Sequence, residues 1–227
     1  MNEVRKISDS LIGEMREAID GADKVLVGIG MEWMASVETR DVMSEAIIRE
    51  REYYKSLYTK LKSLLCDKDY YIMTLCYDDL VYDVFEEERV VAPCGGYRLL
   101  QCGQHVMTKD EVSMHDGETR CPLCNRPLTF NKIESDMYME EGYMDRFADY
   151  KQWLQSTINK KLVILELGAD LKYPSVIRFA FDRLCQYNLK SKFYRVNKSL
   201  YQHSAESGER GISVQADSRE LIASFFD

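Results

Sequence analysis

The chain has 227 residues, 30 basic and 38 acidic, and the net charge of -8 argues against a role built on gripping a nucleic-acid backbone. At 45% hydrophobic content it can bury an ordinary core, enough for one large domain with a small one attached. No apolar run approaches the roughly 20 residues that cross a bilayer, so no membrane partner is expected.

The N-terminal stretch Met1 to Asp20 is charged and helical rather than signal-like. Ile7, Leu11, Ile12, Met15, Ala18 and Ile19 recur at helical spacing, and Gly21 stops that helix. Lys24 to Ile29 reads as a short apolar strand running through Gly28 into Gly30. A long helix follows over about Val42 to Leu65, then a strand over Tyr70 to Cys76, dense in β-formers. The acidic stretch Tyr77 to Glu88 reads as a loop with a helical turn. Pro93, Gly95 and Gly96 break the alternation, and Tyr97 to Asn131 forms a separate polar insertion. A helix over about Glu141 to Ile158 leads to Leu162–Leu167, apolar enough for a central parallel strand covered on both faces. Pro174 opens a helix to about Tyr187. Strands follow at Phe193–Val196 and Gly211–Val214, and Asp217 with Glu220 forms a capping box for the last helix. Strands alternating with helices predict an α/β fold, a Rossmann-like doubly wound parallel sheet, with a small zinc-ribbon domain inserted. The expected boundaries are 1–92 with 159–227 for the large domain, and 93–158 for the zinc ribbon with its following helix.

The insertion carries the strongest chemical signal. Cys102 and His105 form C-x-x-H, fifteen residues intervene, and Cys121 and Cys124 form C-x-x-C. Two tight turns presenting paired soft ligands suit one tetrahedral zinc ion, and four protein ligands leave no open position for water. Gly103 gives the first turn its backbone freedom and Pro122 stiffens the second. His115 also lies between the pairs, but C-x-x-H matches the partner turn better. Clustered ligands without an export signal point to a reducing cytoplasm rather than disulfides. Cys66 and Cys185 read as buried small hydrophobes.

Other motifs lie at strand ends. Val25-Leu26-Val27-Gly28-Ile29-Gly30 ends in G-x-G, which lets the backbone approach a diphosphate, although Met34 replaces the third glycine of the full fingerprint. Gly168-Ala169-Asp170 follows the apolar strand, where nucleotides sit in open α/β sheets, or is an ordinary turn. In Thr74 to Asp79, Asp78 or Asp79 is placed to reach a ribose or to cap a helix. Cys94, between Pro93 and Gly95, has no His or Lys beside it in sequence to lower its pKa. His203 follows the last of the candidate binding strands.

The order of these motifs resembles the sirtuin family of NAD-dependent protein deacylases, over nearly the whole chain from Lys24 to Leu221. The family's G-A-G-I-S resembles Gly28-Ile29-Gly30-Met31-Glu32, and its T-Q-N-I-D-G-L resembles Thr74 to Leu80. Its H-G resembles Cys94-Gly95, eight positions before Cys102, and its four zinc cysteines fall on Cys102, His105, Cys121 and Cys124. Its G-T-S resembles Gly168-Ala169-Asp170, and its I-N resembles Val196-Asn197. The resemblance implies a cleft between a large Rossmann-like and a small zinc domain. NAD or ADP-ribose would bind there at Gly28, Ile29, Gly30, Asp78, Gly168, Ala169, Asp170 and Asn197. It assigns Cys94, Cys76 and Asp78 to the catalytic positions. The departures fall on the chemistry. Cys94 replaces the family's general base, Cys76 replaces an Asn, the P-D-F-R stretch has no counterpart near Trp33 to Arg40, and Glu32 and Asp170 replace serines. The expectation is an NAD- or ADP-ribose-binding protein that has lost ordinary deacylation. The alternatives are a divergent NAD-dependent deacylase, ADP-ribosyltransferase or NAD hydrolase, or a non-enzymatic interaction module with a vestigial cleft; a nucleotide ligand and a protein partner are both expected candidates.

Overall fold

The computed structural model describes residues 4–36, 44–112 and 119–226. A two-residue strand β1 (Val4–Arg5) precedes helix α1 (Asp9–Asp20). The Ser8 hydroxyl caps α1 by accepting from the Leu11 N–H at 3.3 Å, and Leu11, Met15 and Ile19 form its buried stripe. Strand β2 (Lys24–Ile29), a 3-10 turn at Met31–Trp33 and helix α2 (Glu45–Leu64) follow. Val42, the expected start of that helix, lies outside the described residues. Strand β3 (Asp69–Thr74) ends two residues earlier than its β-formers suggest, because the Thr74 hydroxyl accepts from the Cys76 N–H at 3.1 Å and turns the chain.

Then come β4 (Val90–Val91), β5 (Gly95–Gln101), β6 (Val106–Thr108), β7 (Thr129–Lys132), α3 (Met144–Gln155), β8 (Leu162–Leu167), α4 (Arg178–Tyr187), β9 (Lys192–Val196), β10 (Gly211–Val214) and α5 (Ser218–Ala223). The two-residue strands β1 and β4 are too short to leave a periodic signal. Asp217 caps α5 through the Arg219 N–H at 2.8 Å, and Cys185 is buried as expected. Cys66 is a correction: it is exposed, because it sits in the surface turn between α2 and β3 rather than on the inner face of the helix.

Seven strands form one parallel sheet in the order β1-β10-β9-β8-β2-β3-β4. Alternation along the strands splits the core. Val25, Val27 and Ile29 face one side with α1, α2 and α5, while Leu26, Ile164 and Met73 face the other with α3 and α4. The chain leaves β2 toward β3 and leaves β8 toward β9, so the strand order reverses between β2 and β8. That is the topological switch point of a doubly wound sheet. Strands β6-β5-β7 form a separate antiparallel sheet, matching the expected insertion. Within it Gly95, with φ of +72° and no Cβ, lets β5 approach the Asn131 carbonyl of β7, and the Tyr97 N–H donates to Tyr77 O at 2.9 Å, tying β5 to the loop after β3. Helix α3 follows this sheet in sequence but packs Tyr150 and Trp153 on the large one.

Gly28 is a packing glycine. A Cβ there would lie 2.5 Å from Phe181 Cε2 and 2.8 Å from Ile177 Cγ2, both on the α4 side of the sheet. Gly28→Leu is therefore expected to lower stability by about 1–3 kcal/mol or more through overpacking. A fall in the urea midpoint checks this, and an unchanged midpoint would contradict it.

Candidate functional site

The carboxyl ends of the central strands form a continuous rim. The strand ladder runs on past the strands: Gly30 N–H donates to Leu167 O at 2.8 Å, Leu75 to Ile29 O at 2.9 Å, Gly168 to Val196 O at 2.9 Å and Asn197 to Val214 O at 3.2 Å. At the switch point the backbones nearly touch. A Cβ on Gly30 would lie 2.2 Å from both Gly168 O and Ala169 Cα. Gly168 has φ of +66°, a left-handed conformation that favours glycine. Of the residues assigned to nucleotide binding, Gly30, Gly168, Ala169 and Asn197 come together here. Ile29 is buried in the β2 core and Gly28 faces α4.

Three polar side chains of the rim are already engaged. Asn197 donates from Nδ2 to Ala169 O at 3.1 Å and accepts from the Ser199 and Leu200 N–H groups at 2.9 and 2.8 Å. Asp170 accepts from the Lys172 N–H at 2.9 Å in a local turn. Asp78 is buried. Its carboxylate accepts from Ala35 N–H at 2.5 Å and Leu80 N–H at 3.1 Å, so it stitches the end of β3 to the chain after β2. Burial pushes the Asp78 carboxyl up, against the opposing pull of those two bonds.

Glu32 closes the crevice from the β2 side. Its carboxylate lies over Gly168 and accepts from the Ser218 N–H at 3.1 Å and from the Ser218 hydroxyl. Trp33 Nε1–H donates to the same hydroxyl at 2.9 Å. A carboxylate of the chain itself thus occupies the mouth of the switch-point crevice. No local motif links positions 32 and 218; only the fold does.

The three positions matching the family's catalytic residues separate into two environments. Cys76 Sγ donates toward Gly30 O at 3.3 Å, inside the core on the α1–α2 side. Burial pushes its thiol far above the ordinary range. Cys94 is 0% exposed and packs on the α3–α4 side, and burial pushes its thiol up to about 12. At neutral pH it is a protonated thiol and cannot take a proton. Around it Tyr138 donates its hydroxyl to Pro93 O, Tyr77 and Tyr173 approach hydroxyl to hydroxyl at 3.3 Å, and Lys172 Nζ stands 5.9 and 5.5 Å from those two rings. The His203 ring lies against Gly211 at the start of β10, the opposite end of the sheet.

In the small sheet, the sulfurs of Cys102, Cys121 and Cys124 lie within 4.8 Å of one another, with Cys124 Sγ to Cys102 Sγ at 3.7 Å. Ligands about 2.3 Å from a tetrahedral zinc are separated by about 3.8 Å, so three thiols stand at metal-binding spacing. Burial raises the Cys121 thiol, but hydrogen bonds from the Cys124 and Leu123 N–H groups outweigh it and hold it below the ordinary thiol range. The ring nitrogens of His105 do not join this group. That turn closes through its backbone, with Cys102 N–H donating to His105 O at 3.2 Å. His115 lies outside the described residues.

No protein-family model matches the chain. A solved complex of a mutant Sir2 homologue with ADP-ribose aligns at TM-score 0.58 and 8% identity, covering 96% of this chain and 95% of that one. A structure from work on the mechanism and regulation of Sir2 enzymes aligns at 0.58 and 11%, covering 96% and 97%. The fold is sirtuin-like. A third structure, a Sir2 mutant with p53 peptide and NAD, aligns at 0.58 and 14% identity, covering 94% and 96%. In sequence, a protein ADP-ribosyltransferase of Staphylococcus aureus is 27% identical over 185 residues, 73% of this chain, and the match spans 58% of that relative's length. The sirtuin-like topology explains why motifs scattered from Gly30 to Asn197 share one rim: each follows the end of a parallel strand.

Proposed function

We propose that this chain binds NAD or ADP-ribose at the crevice between the ends of β2 and β8, and that ordinary acyl-lysine deacylation is lost. The observation that carries the binding half is the side-chain-free approach of Gly30 to Gly168 and Ala169 at the switch point. Support comes from the sirtuin-like neighbours, whose structures hold ADP-ribose or NAD. The loss of deacylation rests on Cys94, buried and protonated where the family resemblance calls for a general base. Glu32 and Asp170 add negative charge beside the phosphates of any such ligand, so the ligand must displace Glu32 from Ser218 or lie beside it. Asp78, closed by two backbone bonds, holds the rim in shape rather than reaching a ribose.

A second reading is ADP-ribosyl transfer, favoured by the Staphylococcus aureus relative's name. NAD would then donate its ADP-ribosyl group as the nicotinamide–ribose bond breaks and a bond to an acceptor forms.

We also propose that Cys102, Cys121 and Cys124 hold a structural zinc, with His105 after a side-chain rotation, or His115, as fourth ligand. The metal would supply folding free energy to the small sheet and no reaction chemistry. Paired reduced thiols of this kind suit a cytoplasmic location.

Elemental analysis of protein purified without added metal is expected to give about one zinc per chain, and Cys121→Ser to lose it along with the stability of the small sheet. Metal-free protein with an unaffected Cys121→Ser variant would end the zinc reading. Calorimetric titration with ADP-ribose and NAD is expected to show binding that Glu32→Ser and Asp170→Ser each strengthen, by about tenfold where the carboxylate lies closest to phosphate. Turnover of an acetyl-lysine peptide should fall at least about 100-fold below that of a base-assisted reaction. Robust NAD-dependent deacetylation would refute the loss. Absence of heat at millimolar ligand from all three proteins would leave the interaction-module reading.

A further inference from the structure

The end of the large sheet opposite the crevice carries a different surface. Helices α3 and α4 finish there, in the loops that feed β8 and β9, and between them lies a groove of about 560 Å³. Leu154, Ile158, Leu184, Tyr187 and Leu189 give it an apolar lining. Ile158 is 67% exposed, Tyr187 79% and Leu189 77%. Single exposed apolar side chains need no explanation, but three large ones sharing one groove form a patch of the kind that marks an interaction site. The groove is preformed. Asn188 Nδ2 donates to Thr157 O at 3.1 Å and Lys190 Nζ to Asn159 O at 3.1 Å, tying one loop to the other.

Its charge departs from that of the rest of the molecule. The chain has 38 acidic residues, yet none falls between Lys151 and Leu165 or between Arg183 and Ala205. Among the described residues, the groove wall includes Lys151 and Lys190 and no acid, and Lys160 and Lys161 follow it in sequence. Glu17 and Glu209 appear only in the adjoining depression beyond Leu189, where Lys192 pairs with Glu14 at 2.6 Å.

We propose that this groove docks an acidic protein segment bearing an apolar anchor. The apolar floor would take the anchor, and the lysines would meet carboxylates on either side of it. The net charge of -8 repels such a partner from the rest of the surface and steers it to this face. A concave groove takes a narrow anchor and does not suit a flat lipid surface.

The test is a fluorescence-anisotropy titration of the full chain with a labelled helical peptide of about 15 residues, leucine at every third or fourth position and glutamate elsewhere. A lysine-for-glutamate counterpart and phosphatidylserine vesicles are run beside it. The glutamate peptide is expected to bind saturably and to weaken with added salt. Tyr187→Glu with Leu189→Glu should weaken it by about tenfold or more, the scale of losing a central anchor. Both side chains face solvent, so the thermal midpoint should hold. Lys151→Glu, which leaves the Lys190–Asn159 tie in place, is the second variant, expected to weaken the glutamate peptide and strengthen the lysine one. No saturable binding up to millimolar peptide, equal binding of the lysine peptide, or binding unmoved by both variants would overturn the proposal. Vesicle binding without peptide binding, lost in the Tyr187 and Leu189 variant, would assign the face to membranes and overturn it as well.

Discussion

The constraint on which the crevice depends is the backbone contact between Gly30 and the Gly168–Ala169 turn. Strands β2 and β8 are central neighbours in the sheet, and their ends stay hydrogen-bonded one residue beyond the strands. Any side chain at Gly30 would meet main-chain atoms at 2.2 Å, which cannot swing aside as a flexible side chain can. Forcing them apart would move Glu32 off Gly168, Trp33 off Ser218 and the start of α5 with them. The geometry of the crevice, and the account of what it binds, depend on these two glycines.

Beneath the rim the charge is organised differently from the charge on it. Glu166 points from β8 into the α4 side, fully buried, and accepts from Arg195 at 2.8 Å and Arg178 at 3.1 Å. Burial drives its carboxyl up while the two guanidiniums pull it down. Arg178 also donates to Ala169 O at 3.1 Å and Leu200 O at 2.8 Å, and Arg195 to Gln202 O at 2.8 Å. A buried ion pair of this kind contributes more to a defined geometry than to net stability, since desolvation offsets most of the attraction. Here it fixes the loop after Asn197 against the turn after β8. The rim acids Glu32 and Asp170, in contrast, are half-buried at the strand ends, so their charge would act on a ligand bound there.

Much of this was legible in the residues. Lys24–Ile29 and Leu162–Leu167 match their expected bounds because continuous apolar runs between turn residues are what a central parallel strand requires. The order of glycine turns and paired cysteines carried the sirtuin-like fold. What stayed hidden depends on side-chain direction. Gly28 and Gly30 look equivalent in G-x-G, yet Gly28 lies within β2 against α4 while Gly30 lies one residue past the strand end, at the rim. His105 shares a turn with Cys102, but spacing does not reveal that its ring nitrogens stay out of the thiol group. Glu166 was a missed signal: an acid within an otherwise apolar buried strand demands buried partners, which Arg178 and Arg195 supply. The link from Glu32 to Ser218 spans 186 positions and had no local signature.

Hydrogen–deuterium exchange with and without millimolar ADP-ribose tests the central claim most directly, because it reads the rim by position and does not depend on turnover. The account predicts slowed exchange confined to residues 28–36, 167–172 and 196–200, together with altered protection at Ser218 as Glu32 is displaced. Unchanged exchange at the rim, or slowing confined to other parts of the chain, would contradict it.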